Sequence, residues 1–184
     1  MSRKQLLRFL AIQEGLLLWV GFAVANWQGI DLWRGWSWHA GAWGIILAAT
    51  ALLVGINGLV WITSERLRSA MERLFDEVLG PLRPGDFLLV ALLSGIGEEI
   101  AFRGVLQPLF GLTISSVLFA LLHIPNRTLW IYGLWALFAS LFLGNLYLWT
   151  GNLLVPIGVH VLNNAISLWI WHWGRQRRRK NDEG

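Results

Sequence analysis

Apolar residues run in six long blocks, about Gln5–Ala25, His39–Ile62, Asp86–Pro108, Leu112–Ile124, Thr128–Trp149 and Leu153–Trp173. Most approach the roughly 20 residues that an α-helix needs to cross about 30 Å of hydrocarbon. The fourth is short, and is expected either to start earlier or to lie within a protein-lined cavity. One stretch, Thr63–Gly80, follows a different pattern. Leu67, Ala70, Met71, Leu74, Phe75, Val78 and Leu79 recur at helical spacing, and Glu65, Arg66, Arg68, Ser69, Glu72, Arg73, Asp76 and Glu77 take the other face. This predicts an amphipathic helix lying on the inner leaflet, ended by Pro81, Pro84 and Gly85. Its plain role is a linker; a gate or substrate-docking element is the sharper alternative. The pattern as a whole predicts an all-α, polytopic transmembrane helical bundle of about six spans plus one amphipathic surface helix. Residues 1–62 hold two spans, 63–85 the amphipathic connection, 86–174 the transmembrane core that carries the candidate chemistry, and 175–184 a basic tail. There is no internal repeat and no sign of a second domain.

Composition agrees with a lipid environment. Hydrophobic residues make up 55% of the 184 and charged residues only 14%, against about 25% charged in a soluble domain. The 13 Trp residues often end apolar runs, where an indole sits at headgroup level. The absence of Cys excludes disulfides, thiolate metal sites and a Cys nucleophile. A formal net charge of +4 raises nucleic acid as a partner, but the basic residues cluster beside apolar runs, so membrane lipid is the expected partner and nucleic acid is not. The first apolar run is broken by Arg8, Gln13 and Glu14 and offers no clear cleavage site, so a first transmembrane helix is expected rather than a signal peptide.

Orientation follows from Lys and Arg. With six spans, Arg3, Lys4 and Arg8, then Arg66, Arg68, Arg73 and Arg83, then Arg127, then Arg175, Arg177, Arg178, Arg179 and Lys180 all fall on one side, and only Arg34 on the other. Both termini are expected to be cytoplasmic, with Arg175–Gly184 a disordered anchor beside anionic lipid.

Ionisable residues inside a span cost roughly 2.5–3.5 kcal/mol at the helix centre on insertion scales, so function is their default reading. The third block contains Gly97-Glu98-Glu99-Ile100-Ala101-Phe102-Arg103. Glu99 and Arg103 are four apart and can pair on one face. Glu98 points about 100° away and is free to serve as a general base. A self-contained ion-pair cluster would explain Glu99 and Arg103 but not the second Glu. His123 ends the fourth block, where a lone His is more often a hydrogen-bonded interface residue. His160 and Asn164 share a face of the sixth, so Asn164 can orient the imidazole or present its amide beside it; helix-to-helix hydrogen bonding is the plain alternative. Asn163 points elsewhere and has no assigned role. Gly95 and Gly97 let another helix or a substrate approach closely. Together, Glu98, His123 and His160 come from three spans and can face a common interior. A base, a second proton carrier and an imidazole–amide donor pair are the parts of a peptide hydrolase.

These residues, Glu98-Glu99-x-x-x-Arg103, Phe119-x-x-x-His123 and His160-x-x-x-Asn164, resemble the three-motif signature of the CAAX-protease and bacteriocin-processing family. That family includes the eukaryotic CAAX prenyl endopeptidase and many bacterial membrane proteins. The resemblance covers roughly Asp86–Trp173, matches in order and spacing, and leaves the first two spans without a motif. It implies an intramembrane endopeptidase of a bacterial plasma membrane, acting on a membrane-associated or lipidated peptide or protein. Glu98 is then the water-activating base, assisted by His123; His160 and Asn164 stabilise the oxyanion; Glu99 and Arg103 support them.

Two His and a Glu could instead hold zinc with a water in the fourth position, here Glu98, His123 and His160. The chain lacks the H-E-x-x-H helix of zinc proteases, and Asn is a poor zinc ligand, so glutamate catalysis without a cofactor is the preferred expectation and zinc the alternative. Two other classes compete: a non-catalytic scaffold or immunity protein of the same fold, which needs no desolvated base, and a small transporter or haem protein, which leaves Asn164 unexplained.

Overall fold

The computed structural model describes residues 1–124 and 126–182, and these are almost entirely helical. Helix α1 spans Arg3–Gln28 and α2 Ala40–Thr63. The amphipathic α3, Glu65–Leu74, continues as a π turn over Phe75–Leu79. Helix α4, Pro84–Glu99, widens into π-helix over Ile100–Leu106 before α5, Gln107–Leu122. A short 3₁₀ turn, Arg127–Leu129, leads into α6, Trp130–Thr150, and α7 is Leu154–Asp182.

The bundle is inside out by the standards of a water-soluble protein. Ile12, Trp19, Leu52, Ile62, Leu122, Leu148 and Trp149 stand exposed on its outside, while Glu14, Thr50, Glu99, Arg103, Ser115, Ser116 and Ser140 are buried. An apolar shell this extensive is tolerated only where the solvent is itself apolar. Among the described residues, five helical segments are long and apolar enough to cross a membrane. The protein is an all-α integral membrane protein.

One of those segments, Pro84–Leu122, has 39 residues, which as a straight helix would reach nearly 60 Å. It is not straight. At Gly111 the backbone takes φ 81° and ψ 167°, a conformation that glycine adopts without steric cost, and the chain doubles back. The rings of Phe102 and Phe119 lie 5.0 Å apart, where a continuous helix would separate them by about 25 Å. The third and fourth apolar blocks are thus the two arms of a helical hairpin. The return arm from Gly111 to Leu122 is only about 17 Å long. It therefore stops beside the C-terminal end of α4 and delivers His123 to the depth of Glu98.

Helix α7 is the central post, packed on α4, α2 and α6. Val155 and Val159 of α7 are buried in one cluster with Ile46 of α2, and Ile157 and Val161 in another with Ala91 of α4. Gly95 makes the α4–α7 contact possible, since a Cβ there would come within 2.6 Å of Val161 Cγ2. At one end Arg3 Nε donates to Asp86 Oδ2 at 2.7 Å, and Asp86 also accepts from the Arg83 backbone N–H at 2.8 Å. At the other, Asn152 Nδ2 donates to the Ser37 carbonyl at 2.9 Å. Following the chain between these ends puts Arg3, Arg66, Arg73, Arg83, Arg127 and Arg175 at one and Arg34 at the other.

The basic tail corrects the expectation of disorder. Helix α7 continues through it to Asp182, while Glu183 and Gly184, the end of the expected tail, lie outside the described residues. Arg175 Nη1 donates to the Gly80 carbonyl at 3.1 Å and Nε lies 3.4 Å from Asp76. Arg178 Nη1 meets Glu72 at 2.8 Å, and the Trp171 indole donates to Asp76 at 3.1 Å. These residues have fixed partners on α3 and its π turn, which is why the helix does not fray there. Helix α3 itself buries Leu67, Ala70 and Met71 against the bundle, with Ser64 Oγ capping its N-terminus by accepting from Leu67 N–H at 3.3 Å.

Candidate functional site

The site is built where α4 loses its regular winding. The π-helical turn Ile100–Leu106, a geometry common at functional sites, carries Arg103 inward. Arg103 Nη1 pairs with Glu99 Oε1 at 3.1 Å, both side chains essentially fully buried. Arg103 Nη2 donates to the Ser140 carbonyl and to Ser140 Oγ, each at 2.9 Å, and its guanidinium lies 5.0 Å from the Phe119 ring centre. A buried ion pair is tolerable only when such extra contacts replace lost water.

Glu99 has a second partner. Its Oε1 lies 2.7 Å from His160 Nδ1. The carboxylate accepts from Nδ1–H, which fixes the tautomer and leaves Nε2 facing inward. His123 is fixed in the same way by a different acceptor: Nδ1 lies 2.8 Å from the Phe119 carbonyl, and its ring stacks on Phe119 at 4.2 Å. Both free Nε2 atoms point at Glu98. Its Oε2 is 3.7 Å from His123 Nε2 and 3.9 Å from His160 Nε2, and has no hydrogen-bond partner of its own. Those separations are too long for direct hydrogen bonds and suit a bridging water.

Glu98, Glu99, Arg103, His123 and His160 are therefore brought together, from α4, α5 and α7. Of the two uses expected for Asn164, orienting the imidazole falls to Glu99; Asn164 Nδ2 donates to Ser94 Oγ on α4 at 3.1 Å. It nevertheless lines, with Asn163, His123 and His160, a small space of about 60 Å³, room for a water or two. A larger cavity of about 360 Å³ opens on the other side of Glu98 and His123. Its polar wall is Glu14, Ser94, Glu98, His123 and Tyr132, and its apolar walls come from α1 and the end of α3.

Glu14 and Tyr132 were not among the sequence candidates. Glu14 gives the first span, which carries no motif, a residue at the site. Its residue is 3% exposed, and its Oε2 packs on Gly97, where a Cβ would come within 2.6 Å of it. The signal was present in the sequence, as an acid breaking an apolar run, but no partner at a fixed spacing marked it.

A zinc ion fits this arrangement poorly. Among the described residues no three His, Asp or Glu side chains are grouped as a metal-holding set.

Residues 81–166 match the family described as type II CAAX prenyl endopeptidase Rce1-like. The chain is also 30% identical over 143 residues, 77% of its own length and 74% of the other, to a Bacillus subtilis protein whose printed name is "Uncharacterized protein YpbD". The chain belongs to the CAAX-protease family. No solved structure matches it. The matched family segment contains all of Glu98, Glu99, Arg103, His123, His160 and Asn164 and stops short of α1, so the family resemblance carries the centre of the site while Glu14 is an addition from outside it.

Proposed function

We propose that the protein is an intramembrane endopeptidase in which Glu98 activates a water against a peptide bond near the membrane surface. The observation that carries this is the unpartnered Glu98 Oε2 facing two imidazole Nε2 atoms at 3.7 and 3.9 Å on the wall of the 360 Å³ cavity. A water held there gives its proton to Glu98, and its oxygen attacks the scissile carbonyl. The carbonyl carbon becomes tetrahedral and its oxygen takes up negative charge. His160 Nε2, in its protonated form, and the second N–H of the Asn164 amide, the first being given to Ser94, are the donors assigned to that oxyanion. Collapse expels the amine, which takes a proton from Glu98. His123, locked by the Phe119 carbonyl, keeps its Nε2 on the attacking water.

The substrate class that suits the site is a membrane-associated or lipidated peptide, and the setting a bacterial plasma membrane with both termini and α3 cytoplasmic. The test of the chemistry is cleavage of a panel of membrane-tethered peptides by the purified protein, with Glu98→Gln beside it. Absence of cleavage by wild type would favour a non-catalytic scaffold or immunity role for the same fold, whereas a Glu98→Gln variant that cleaves like wild type would show that another group activates the water. Chelator treatment is expected to leave cleavage unchanged and metal analysis to find less than one equivalent; inactivation by chelator, reversed by zinc alone, would replace this scheme with a zinc hydrolase. Asn164→Ala should lower kcat by about 10²–10³-fold, the usual loss for one oxyanion donor, with KM nearly unchanged; a rise in KM alone would move Asn164 to substrate binding.

Topology is tested on this Cys-free chain with single cysteines at the half-buried Arg68 of α3, at the exposed Glu77 of the π turn after it and at the exposed Arg34. Impermeant thiol reagent applied to intact cells should label the Arg34 position alone. Labelling at Arg68 or Glu77 from outside would invert the orientation.

A further inference from the structure

The 360 Å³ cavity has an unbalanced charge. Two carboxylates line it, Glu14 from α1 and Glu98 from α4, and among its described lining residues there is no Lys or Arg. Arg103, the guanidinium of the neighbouring cluster, is committed to Glu99 and Ser140. Glu14 is also poorly satisfied. Its Oε1 receives one long contact, 3.5 Å, from Gln13 Nε2, and its Oε2 has no hydrogen-bond partner although it is buried. A carboxylate in an apolar setting is costly to keep charged, so it either takes up a proton or gains a partner of opposite charge. Glu98 is spoken for by the water and the two imidazoles, whereas Glu14 touches none of the reacting groups. Gly97 holds it in place: with no side chain there, Glu14 sits directly over the α4 backbone one residue before Glu98.

We propose that Glu14 is a specificity subsite that binds a cationic group of the substrate, a lysine or arginine side chain or a primary amine, close to the bond cut beside Glu98. The inference rests on the endopeptidase reading and names the substrate feature that reading leaves open. The incoming cation supplies the hydrogen-bond donors that Glu14 lacks. The remaining cavity wall, Leu10 and Leu17 of α1 with Phe75 and Val78 from the end of α3, accommodates the aliphatic stem of such a side chain, as apolar surfaces do for long basic residues.

The test uses full-length protein in vesicles of zwitterionic phospholipid, so that surface potential does not favour basic peptides. Tethered peptides differing in one residue, Lys, Gln or Glu, are scanned across the cleavage site. For wild type, the Lys peptide at one position is expected to exceed its Gln counterpart at least tenfold in kcat/KM, the scale of a hydrogen bond to a charged group. Glu14→Gln collapses that ratio to about one, and Glu14→Lys reverses it in favour of the Glu peptide. A purely structural Glu14 would lower all three peptides alike, and that result, or equal wild-type rates for Lys and Gln at every position, overturns the proposal while leaving the endopeptidase reading intact. Where a Glu14 variant fails to fold, Glu14→Asp, which keeps the charge, must retain the sign of the preference. If wild type cleaves no peptide, the endopeptidase reading fails, and binding of the same peptides decides this one separately: equal affinity for Lys and Gln peptides refutes it.

Discussion

Glu98→Gln is expected to fold as wild type and to lose about 10²–10⁴-fold in kcat, the range for removing a positioned general base. Both halves follow from the same geometry. Glu98 Oε2 has no hydrogen-bond partner, so the amide breaks no bond of the folded protein and relieves it of a partly buried charge. Gln is nearly isosteric, so the space between the two Nε2 atoms is kept, but the amide cannot take a proton from water. Size-exclusion behaviour and thermal unfolding in detergent should match wild type while the tethered-peptide assay falls toward background. Near wild-type turnover would sink the mechanism. Among the described residues two other buried carboxylates stand at the site: Glu99, already shared between Arg103 and His160, and Glu14, which touches none of the reacting groups.

The lipid-facing bundle was legible because hydropathy counts residue types, and an apolar shell needs no particular partner. The short fourth block was legible too, but its cause was not. Only the left-handed backbone at Gly111 turns two adjacent apolar blocks into a hairpin with a truncated arm, and nothing in composition marks that glycine among the 20 in the chain. Within the site, four-residue spacing identified the Glu99–Arg103 pair because both partners lie on one helix. The same rule left two uses of Asn164 open. Sharing a face with His160 allows contact, but the residues on the opposing helix decide which contact forms, and there Glu99 reaches the imidazole and Ser94 the amide. Glu14 escaped for a related reason: its neighbour is the backbone at Gly97, distant in sequence and carrying no side chain to pair with. The fixed tail was hidden because the partners that hold it, Glu72 and Asp76, read as the solvated face of an amphipathic helix.

Arg103→Ala is expected to remove most of the folded protein. Breaking a buried pair by deleting one partner typically costs about 3–5 kcal/mol, a large part of the 5–15 kcal/mol that holds an ordinary domain together. The local geometry argues for the upper part of that range. The substitution strands Glu99 in an apolar setting, leaves the Ser140 carbonyl without its donor and empties the space over Phe119. Arg103→Lys should rescue little, since one ammonium cannot reproduce the planar fork that meets Glu99 and Ser140 at once. A double replacement, Glu99→Gln with Arg103→Met, removes both charges and should recover most of the thermal stability, because apolar substitutes for buried ion pairs are often neutral or better. It should not recover turnover, because the carboxylate that orients His160 goes with the charge. Stability and activity therefore separate in the double variant and fall together in the single one. An Arg103→Ala protein that unfolds at the wild-type temperature would show that the cluster does not support the fold, and would place Arg103 with the substrate-binding residues.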